Sequence, residues 1–273
     1  MACKARGRFR KDGSTPFAGD LVEIEIQEDG GGYIQELLPR KNRLVRPPIA
    51  NVDQIVIVCS KADPETSTIT IDRLAALAAI LDIGVVICVN KSDLDSAEEL
   101  FSIYSKATLP TVRVSAETGE GIEELKSLLV DKISVFAGNS GVGKSSLLNL
   151  LDPAFAMEVG DISQRIGQGR QTTRHTELLP ISGGYAADSP GFSAFSMIEA
   201  EMYEIDNLQF GFVEFLPYLT DCRFNDCTHT GEPGCAVTAA VEEGIIGAER
   251  HENYKILHNE LKGINQWEIK KDK

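Results

Sequence analysis

An α/β fold built on a parallel sheet is the class the sequence predicts, and three observations predict it. Short apolar, strand-like runs alternate with helix-like segments from Asp53 to Ala187. One of these runs, Ile133-Ser134-Val135-Phe136-Ala137, leads through a glycine-rich loop into the apolar segment Ser146-Leu147-Leu148-Asn149-Leu150-Leu151. No apolar run approaches the roughly 18 residues that a membrane span needs. A chain of 273 residues has room for more than one core.

Residues 1–46 carry 9 Lys+Arg against 7 Asp+Glu, a net of +2, which leaves 18 against 34, or −16, for the remainder. The overall charge of −14 argues against indiscriminate nucleic-acid binding through bulk electrostatics. The front basic residues nevertheless cluster, at Lys4, Arg6, Arg8, Arg10 and Lys11 and again at Arg40, Lys41, Arg43 and Arg46. Between them Leu21-Val22-Glu23-Ile24-Glu25-Ile26 alternates with strand period, and Gly30-Gly31-Gly32 marks a turn before a second run at 33–37. A short β-rich module with two basic strips follows; from charge alone the strips suit an RNA contact and a solvated face equally. Arg46-Pro47-Pro48 reads as a linker, because proline restricts the residue before it. Beyond it, 54–59, 84–90, 111–114, 133–137 and 185–187 read as strands, and 71–81, 96–106, 122–130 and 248–262 as helices.

The loop after 133–137 is Gly138-Asn139-Ser140-Gly141-Val142-Gly143-Lys144-Ser145, which fits G-x-x-x-x-G-K-[ST], with Ser146 continuing into the helix. Glycines let successive backbone N–H groups close round phosphates at a helix N-terminus. Lys144 is placed to reach the β- and γ-phosphates, and the Ser145 hydroxyl to ligate Mg2+. Such a loop does not choose its base. Asn90-Lys91-Ser92-Asp93 does, since the Asp93 carboxylate can accept from guanine N1–H and the exocyclic amine together, a pairing adenine does not offer. Lys91 would lie along the base plane and Asn90 would tie this loop to the phosphate loop. Ser115-Ala116-Glu117, starting 22 residues after Asp93, offers backbone N–H groups to guanine O6. GTP is therefore the expected nucleotide.

Asp188-Ser189-Pro190-Gly191-Phe192 supplies a third element, with Asp188 holding Mg2+ through water and the Gly191 N–H approaching the γ-phosphate. Phe192 stands where many GTPases carry a glutamine that orients the attacking water. A phenyl ring cannot do this, so intrinsic hydrolysis is expected to be slow until another residue or a partner completes the site. The polar, glycine-rich stretch 160–176, containing Gln171-Thr172-Thr173, has the look of a segment that γ-phosphate and Mg2+ order; the plainer alternative is a surface loop. Asn90 lies 48 residues upstream of Gly138, the reverse of the usual order. The core is expected to be a circularly permuted P-loop GTPase.

Cys222, Cys227, His229 and Cys235 fall within 14 residues, spaced C-x4-C-x-H-x5-C. Three thiolates and one imidazole make a closed tetrahedral set for structural Zn2+. The absence of a signal peptide argues for zinc over a disulfide. Cys59 and Cys88, in apolar strands, are expected to be small buried thiols. His251 and His258 are expected on a helix face or the surface rather than as ligands.

In this order the Asn-Lys-x-Asp, Ser-Ala, Gly-x-Ser-Gly-Val-Gly-Lys-Ser-Ser, Asp-x-Pro-Gly-Phe and Cys-x4-Cys-x-His-x5-Cys motifs resemble the bacterial ribosome small-subunit-dependent GTPase A family over essentially the whole chain. The resemblance implies an N-terminal OB-fold over 1–48, a permuted GTPase domain over 49–195 and a zinc-containing helical domain over 196–273. A cytoplasmic, monomeric chain that turns GTP into GDP is expected. Stimulation by the 30S subunit and a role in late 30S biogenesis and 16S rRNA maturation are implied with it. By the same likeness Thr173 is the first choice for a Mg2+ ligand, with Thr172 as alternate, and Lys144, Gln171 and Thr173 form the catalytic set. Gln171 stands where family members often carry a histidine. The 46 residues before the linker are short for a five-stranded barrel, so either its first strand is missing or the barrel is incomplete. Two rivals are an RNA-binding assembly factor with a static nucleotide site and a GTPase of translation or signalling. The complete set of Lys144, Ser145, Asp188 and Thr172-Thr173 speaks against the first. Because Asp188 to Phe192 runs on toward Cys222, nucleotide state is expected to reach the partner surface through the C-terminal part.

Overall fold

The computed structural model describes residues 2–5, 9, 15–28, 30–44, 47–152, 177–188 and 205–263, with backbone alone at 188, 205 and 206. Arg6, Arg8, Arg10, Lys11 and Arg46, the stretch 160–176 with Gln171, Thr172 and Thr173, and Ser189 to Phe192 with Gly191 lie outside the described residues.

At the front, β1 (Cys3–Ala5), β2 (Val22–Ile26) and β3 (Gly32–Leu37) form a three-stranded sheet in the order β1-β3-β2, and β4 (Arg43–Leu44) pairs with β5 (Ile49–Ala50). Arg40 departs from the picture of an open basic strip. Its guanidinium donates to both Asp20 oxygens at 2.7 and 2.8 Å and lies 4.4 Å from the Phe17 ring centre, so its charge is already matched within this module.

The central sheet has six strands. β6 (Gln54–Cys59), β7 (Gly84–Val89), β8 (Thr111–Arg113), β9 (Ile133–Ala137), β10 (Leu179–Ile181) and β11 (Gly184–Asp188) lie in the order β10-β11-β9-β6-β7-β8. All neighbours run parallel except the β10–β11 hairpin. Both faces are covered, which is why β6 and β7 read as nearly continuous apolar runs. Side chains alternate between the faces: Ile55, Ile57, Val85, Ile87 and Val89 enter one core, and Val56, Val58, Val86 and Cys88 the other. The first core is closed by α1 (Thr68–Ile80) and α2 (Glu98–Lys106) through Leu74, Leu77, Leu100 and Tyr104. The second is closed by α3 (Ile122–Leu129) and α4 (Lys144–Leu151) through Leu125, Leu129, Leu147 and Leu148. Cys59 and Cys88 are buried free thiols, and burial pushes the Cys59 thiol up to about 12, which makes it inert.

Two departures from the sequence expectation have a plain physical cause. β10 contains Pro180, which signals against a strand; it is tolerated because β10 is an edge strand paired only with β11. The hairpin turns on Ser182 and Gly183, both with positive φ. Helix α1 begins three residues earlier than the expected 71, at Thr68. The β-branched run Thr68-Ile69-Thr70 is a weak helix signal, and contacts with the C-terminal elements hold it: Thr68 Oγ1 donates to Glu249 at 2.6 Å, and Asn253 Nδ2 donates to Thr68 Oγ1 at 3.1 Å.

Those elements are two 3-10 helices (Ile205–Gly211 and Val213–Tyr218), α5 (Ala236–Glu242) and α6 (Ala248–Lys262). They enclose a third core of Leu208, Phe212, Phe215, Val237, Tyr254 and Leu257, to which α1 contributes Ala76. Of the two places expected for His251 and His258, the structure has the helix face: both lie on α6 and are buried. The sequence 248–262 shows no clean apolar stripe, and α6 is instead enclosed with its polar groups. At the seam with α1, Arg250 Nη1 meets Asp72 at 2.7 Å, its Nε and Nη2 meet Glu214 at 2.7 and 2.9 Å, and Asn253 donates to the other Asp72 oxygen at 2.7 Å. Burial opposes the guanidinium charge, but Asp72 and Glu214 more than offset it and hold Arg250 above its ordinary value.

Candidate functional site

Parallel strands deliver their following loops to one edge of a sheet, and ligand sites form there. Here β9 delivers the phosphate loop, β7 the loop 90–93, β8 the loop 114–117 and β6 the loop 60–67. Glycine is required at Gly143, where φ is +95° and a Cβ would come within 2.3 Å of Asn90 Nδ2. Gly138, at φ +143°, admits no Cβ either, since one would lie 2.1 Å from the Val58 carbonyl oxygen.

Asn90 is the knot of this edge. Its Nδ2 donates to Val142 O at 2.8 Å and its Oδ1 accepts from Ala116 N at 3.1 Å, so one buried amide ties the base-reading loop to the phosphate loop and to Ser115-Ala116. Lys144 Nζ donates to Gly138 O and Asn139 O at 2.6 and 2.9 Å, capping its own loop. Gly141 and Ser140 lie at the turn, and Ser145 and Ser146 open α4 behind Lys144. The Ser115 hydroxyl donates to Asp93 Oδ1 at 2.5 Å while accepting from Thr118 N at 3.1 Å, which fixes the carboxylate at an exposed rim. The β11–β9 register pairs Asp188 with Phe136 and so sets its backbone beside the strand that feeds the phosphate loop.

Sequence reasoning missed the loop 60–67. Lys91 Nζ donates to Asp63 O at 2.5 Å, and Pro64 sits where a Cβ on Gly141 would touch it at 3.2 Å. Both the base and the phosphate loops therefore lean on the lead-in to α1. Nothing in Lys61-Ala62-Asp63-Pro64 distinguishes it from a common polar turn.

The second site is compact. One donor atom from each of Cys222, Cys227, His229 and Cys235 lies within 4.8 Å of the others. His229 Nδ1 is 3.6 Å from Cys222 Sγ and 3.4 Å from Cys235 Sγ. Backbone N–H groups of Ala236 and Thr238, at the start of α5, point at Cys222 Sγ and Cys235 Sγ, each at 3.4 Å. Burial lowers His229 below the ordinary imidazole value, which favours the neutral ring that metal ligation needs. His229 takes φ +57°, and α6 supports this turn: His251 Nε2 donates to His229 O at 2.7 Å and Tyr254 Oη to Thr228 O at 2.8 Å. Burial alone would raise the Glu232 carboxyl, but hydrogen bonds from the Thr228 hydroxyl and from the backbone N–H groups of Thr228, Glu232 and Gly231 hold it at about 2. The donor set suits a soft divalent cation, with no donor position left for a substrate.

A phosphate loop braced by a guanine-type loop that precedes it in the chain defines a circularly permuted P-loop GTPase. Known proteins narrow the class further. The family described as RsgA GTPase matches residues 37–198, and the RsgA N-terminal domain matches residues 1–34. A small ribosomal subunit biogenesis GTPase RsgA from Caldanaerobacter subterraneus subsp. tengcongensis is 48% identical over 96% of this chain and 89% of its own length. The protein of that name from Ruminiclostridium cellulolyticum is 43% identical over 98% and 89%. Among solved structures, YjeQ from Thermotoga maritima aligns with a TM-score of 0.81 and 42% identity, covering 96% of this chain and 90% of that one. YloQ, described as a circularly permuted GTPase, aligns with a TM-score of 0.79 and 36% identity, covering 95% and 85%. The chain belongs to the RsgA GTPase family, and it is a GTP hydrolase. Among the described residues no helix is long and apolar enough to cross a membrane.

Proposed function

We propose that this GTPase works in late biogenesis of the small ribosomal subunit, where contact with the 30S particle and its 16S rRNA stimulates hydrolysis of GTP to GDP and phosphate. The observation that carries the reading is the 48% identity, over nearly the whole chain, to a relative named for that process. Phe192 supports the need for a partner, because this chain offers no glutamine there to orient water.

In this reading Asn90, Lys91, Asp93, Ser115 and Ala116 hold the guanine. The backbone from Gly138 to Gly143, with Lys144 and Ser146, cradles the phosphates, and the Gly191 N–H meets the γ-phosphate. Ser145, Thr173 or its neighbour Thr172, and Asp188 would hold Mg2+, which when bound neutralises charge on the phosphates. Gln171 orients water by hydrogen bonding, since its amide cannot take a proton as a histidine can. Cys222, Cys227, His229 and Cys235 would hold one structural Zn2+, whose binding stabilises the ligand loop. The domains run 1–48, 49–195 and 196–273, in a monomer that acts in the cytoplasm.

The test is GTP turnover measured alone and with purified 30S, 50S and 70S particles. A marked rise with 30S alone is expected. A rate indifferent to 30S, or raised equally by every particle, would overturn the reading.

A further inference from the structure

We infer that Gln209 is a positioning residue for the Cys222–Cys227–His229–Cys235 site, fixing the His229 ring so that Nδ1 faces the three sulfurs. The inference rests on the proposal that this cluster holds a metal.

Gln209 lies in the 3-10 helix Ile205–Gly211, and its side-chain oxygen is 2.9 Å from His229 Nε2. An amide oxygen can only accept, so the neutral ring bonded to it carries its proton on Nε2 and its lone pair on Nδ1. Nδ1 is the atom that lies 3.6 and 3.4 Å from the Cys222 and Cys235 sulfurs. The other tautomer would aim an N–H at the place a cation must occupy and leave two lone pairs facing each other at Gln209. His229 is 2% exposed, which leaves little room for water to replace the acceptor. The backbone of the turn is held separately, by His251 and Tyr254. What Gln209 adds is therefore ring orientation and tautomer.

Its position gives this contact a second consequence. Leu208 is buried with Ala76 of α1, and a Cβ on Gly211 would come 2.8 Å from Ala76 Cβ, so this 3-10 helix is the element seated most closely on the GTPase core. The hydrogen bond that orients a ligand also spans from the metal loop to that seat.

Co2+ serves as the probe, titrated into the full-length chain and followed by its thiolate charge-transfer and d–d bands, with Zn2+ competition giving relative affinity. Loss of such an outer partner typically costs 10–100-fold in metal affinity. Gln209→Leu is expected to weaken Co2+ binding by about that factor, whereas Gln209→Glu, which keeps an acceptor, binds at least as tightly as the unaltered chain. Nitrogen-15 NMR of His229 should show the Nε2-protonated ring in the unaltered chain and in Gln209→Glu. Equal affinity of Gln209→Leu and the unaltered chain would overturn the inference, as would equal weakening by Leu and Glu, which marks a packing role. Failure of the unaltered chain to bind one Co2+ through thiolates would overturn the metal assignment itself, and the inference with it.

Discussion

Asn90 at the nucleotide edge and Arg250 at the α1–α6 seam are both buried and both join distant segments, but they do so with different partners. Asn90 is a neutral amide bonded to main chain, to Val142 O and Ala116 N. Arg250 is a charge bonded to two carboxylates, Asp72 and Glu214. A neutral brace on backbone leaves the shape of the site to glycines and turns, so the site depends on local geometry. A buried charged cluster is stable only when every member is present, because each remaining charge would otherwise lie uncompensated.

The contrast predicts its own ranking of effects. Arg250→Ala should be the most costly change, about 3–5 kcal/mol in urea unfolding, since it strands Asp72 and Glu214 in the interior. Replacing all three with apolar residues of similar volume should recover most of that loss. A single variant as stable as the unaltered chain would erase the distinction. Lys144→Ala should lower GTP turnover roughly 10²–10³-fold, the worth of one donor that stabilises developing charge. Its unfolding midpoint should barely move, and a large shift would mean that the phosphate loop is part of the fold's support. Asn90→Ala leaves Val142 O and Ala116 N without their braces and should cost about 1–3 kcal/mol, read mainly as weaker GTP binding in a fluorescence titration. Arg73→Ala is the control at the seam's rim. Its Nη2 donates to both Glu260 oxygens, at 2.8 and 2.7 Å, in a partly exposed contact, so about 0.2–1 kcal/mol is expected in the same urea experiment.

The same contrast explains what could be read in advance. The phosphate loop and Asn90-Lys91-Ser92-Asp93 are legible because phosphate and guanine chemistry demand fixed residues within eight and four positions. Cys222 to Cys235 is legible for the same reason. The seam is not, since Asp72 and Arg250 are 178 residues apart and neither has a local pattern that names the other. A surface place and a helix face are equally open to His251 from a segment without a clean apolar stripe, and only the packed structure shows that it supports the His229 turn. Gln209 and Asp63 are not legible in the sequence because each meets the site from an unremarkable position in a short helix or a polar turn. For Arg40 a count of charges leaves both readings open, since it does not show that Asp20 already balances the guanidinium.

The permuted order also sets the direction in which the core can be pulled. The chain enters the sheet at Gln54, at the amino end of β6, and leaves it at Asp188, at the carboxyl end of β11, with β9 between and all three strands parallel. Entrance and exit therefore lie at opposite ends of the parallel strands. Force applied between the entry at Gln54 and the exit at Asp188 would load these ladders in shear along the strands, while the Arg250–Asp72 seam gives the C-terminal elements a second attachment on α1. Mechanically, the nucleotide edge belongs to a plate that is stiff along the line joining its two attachments.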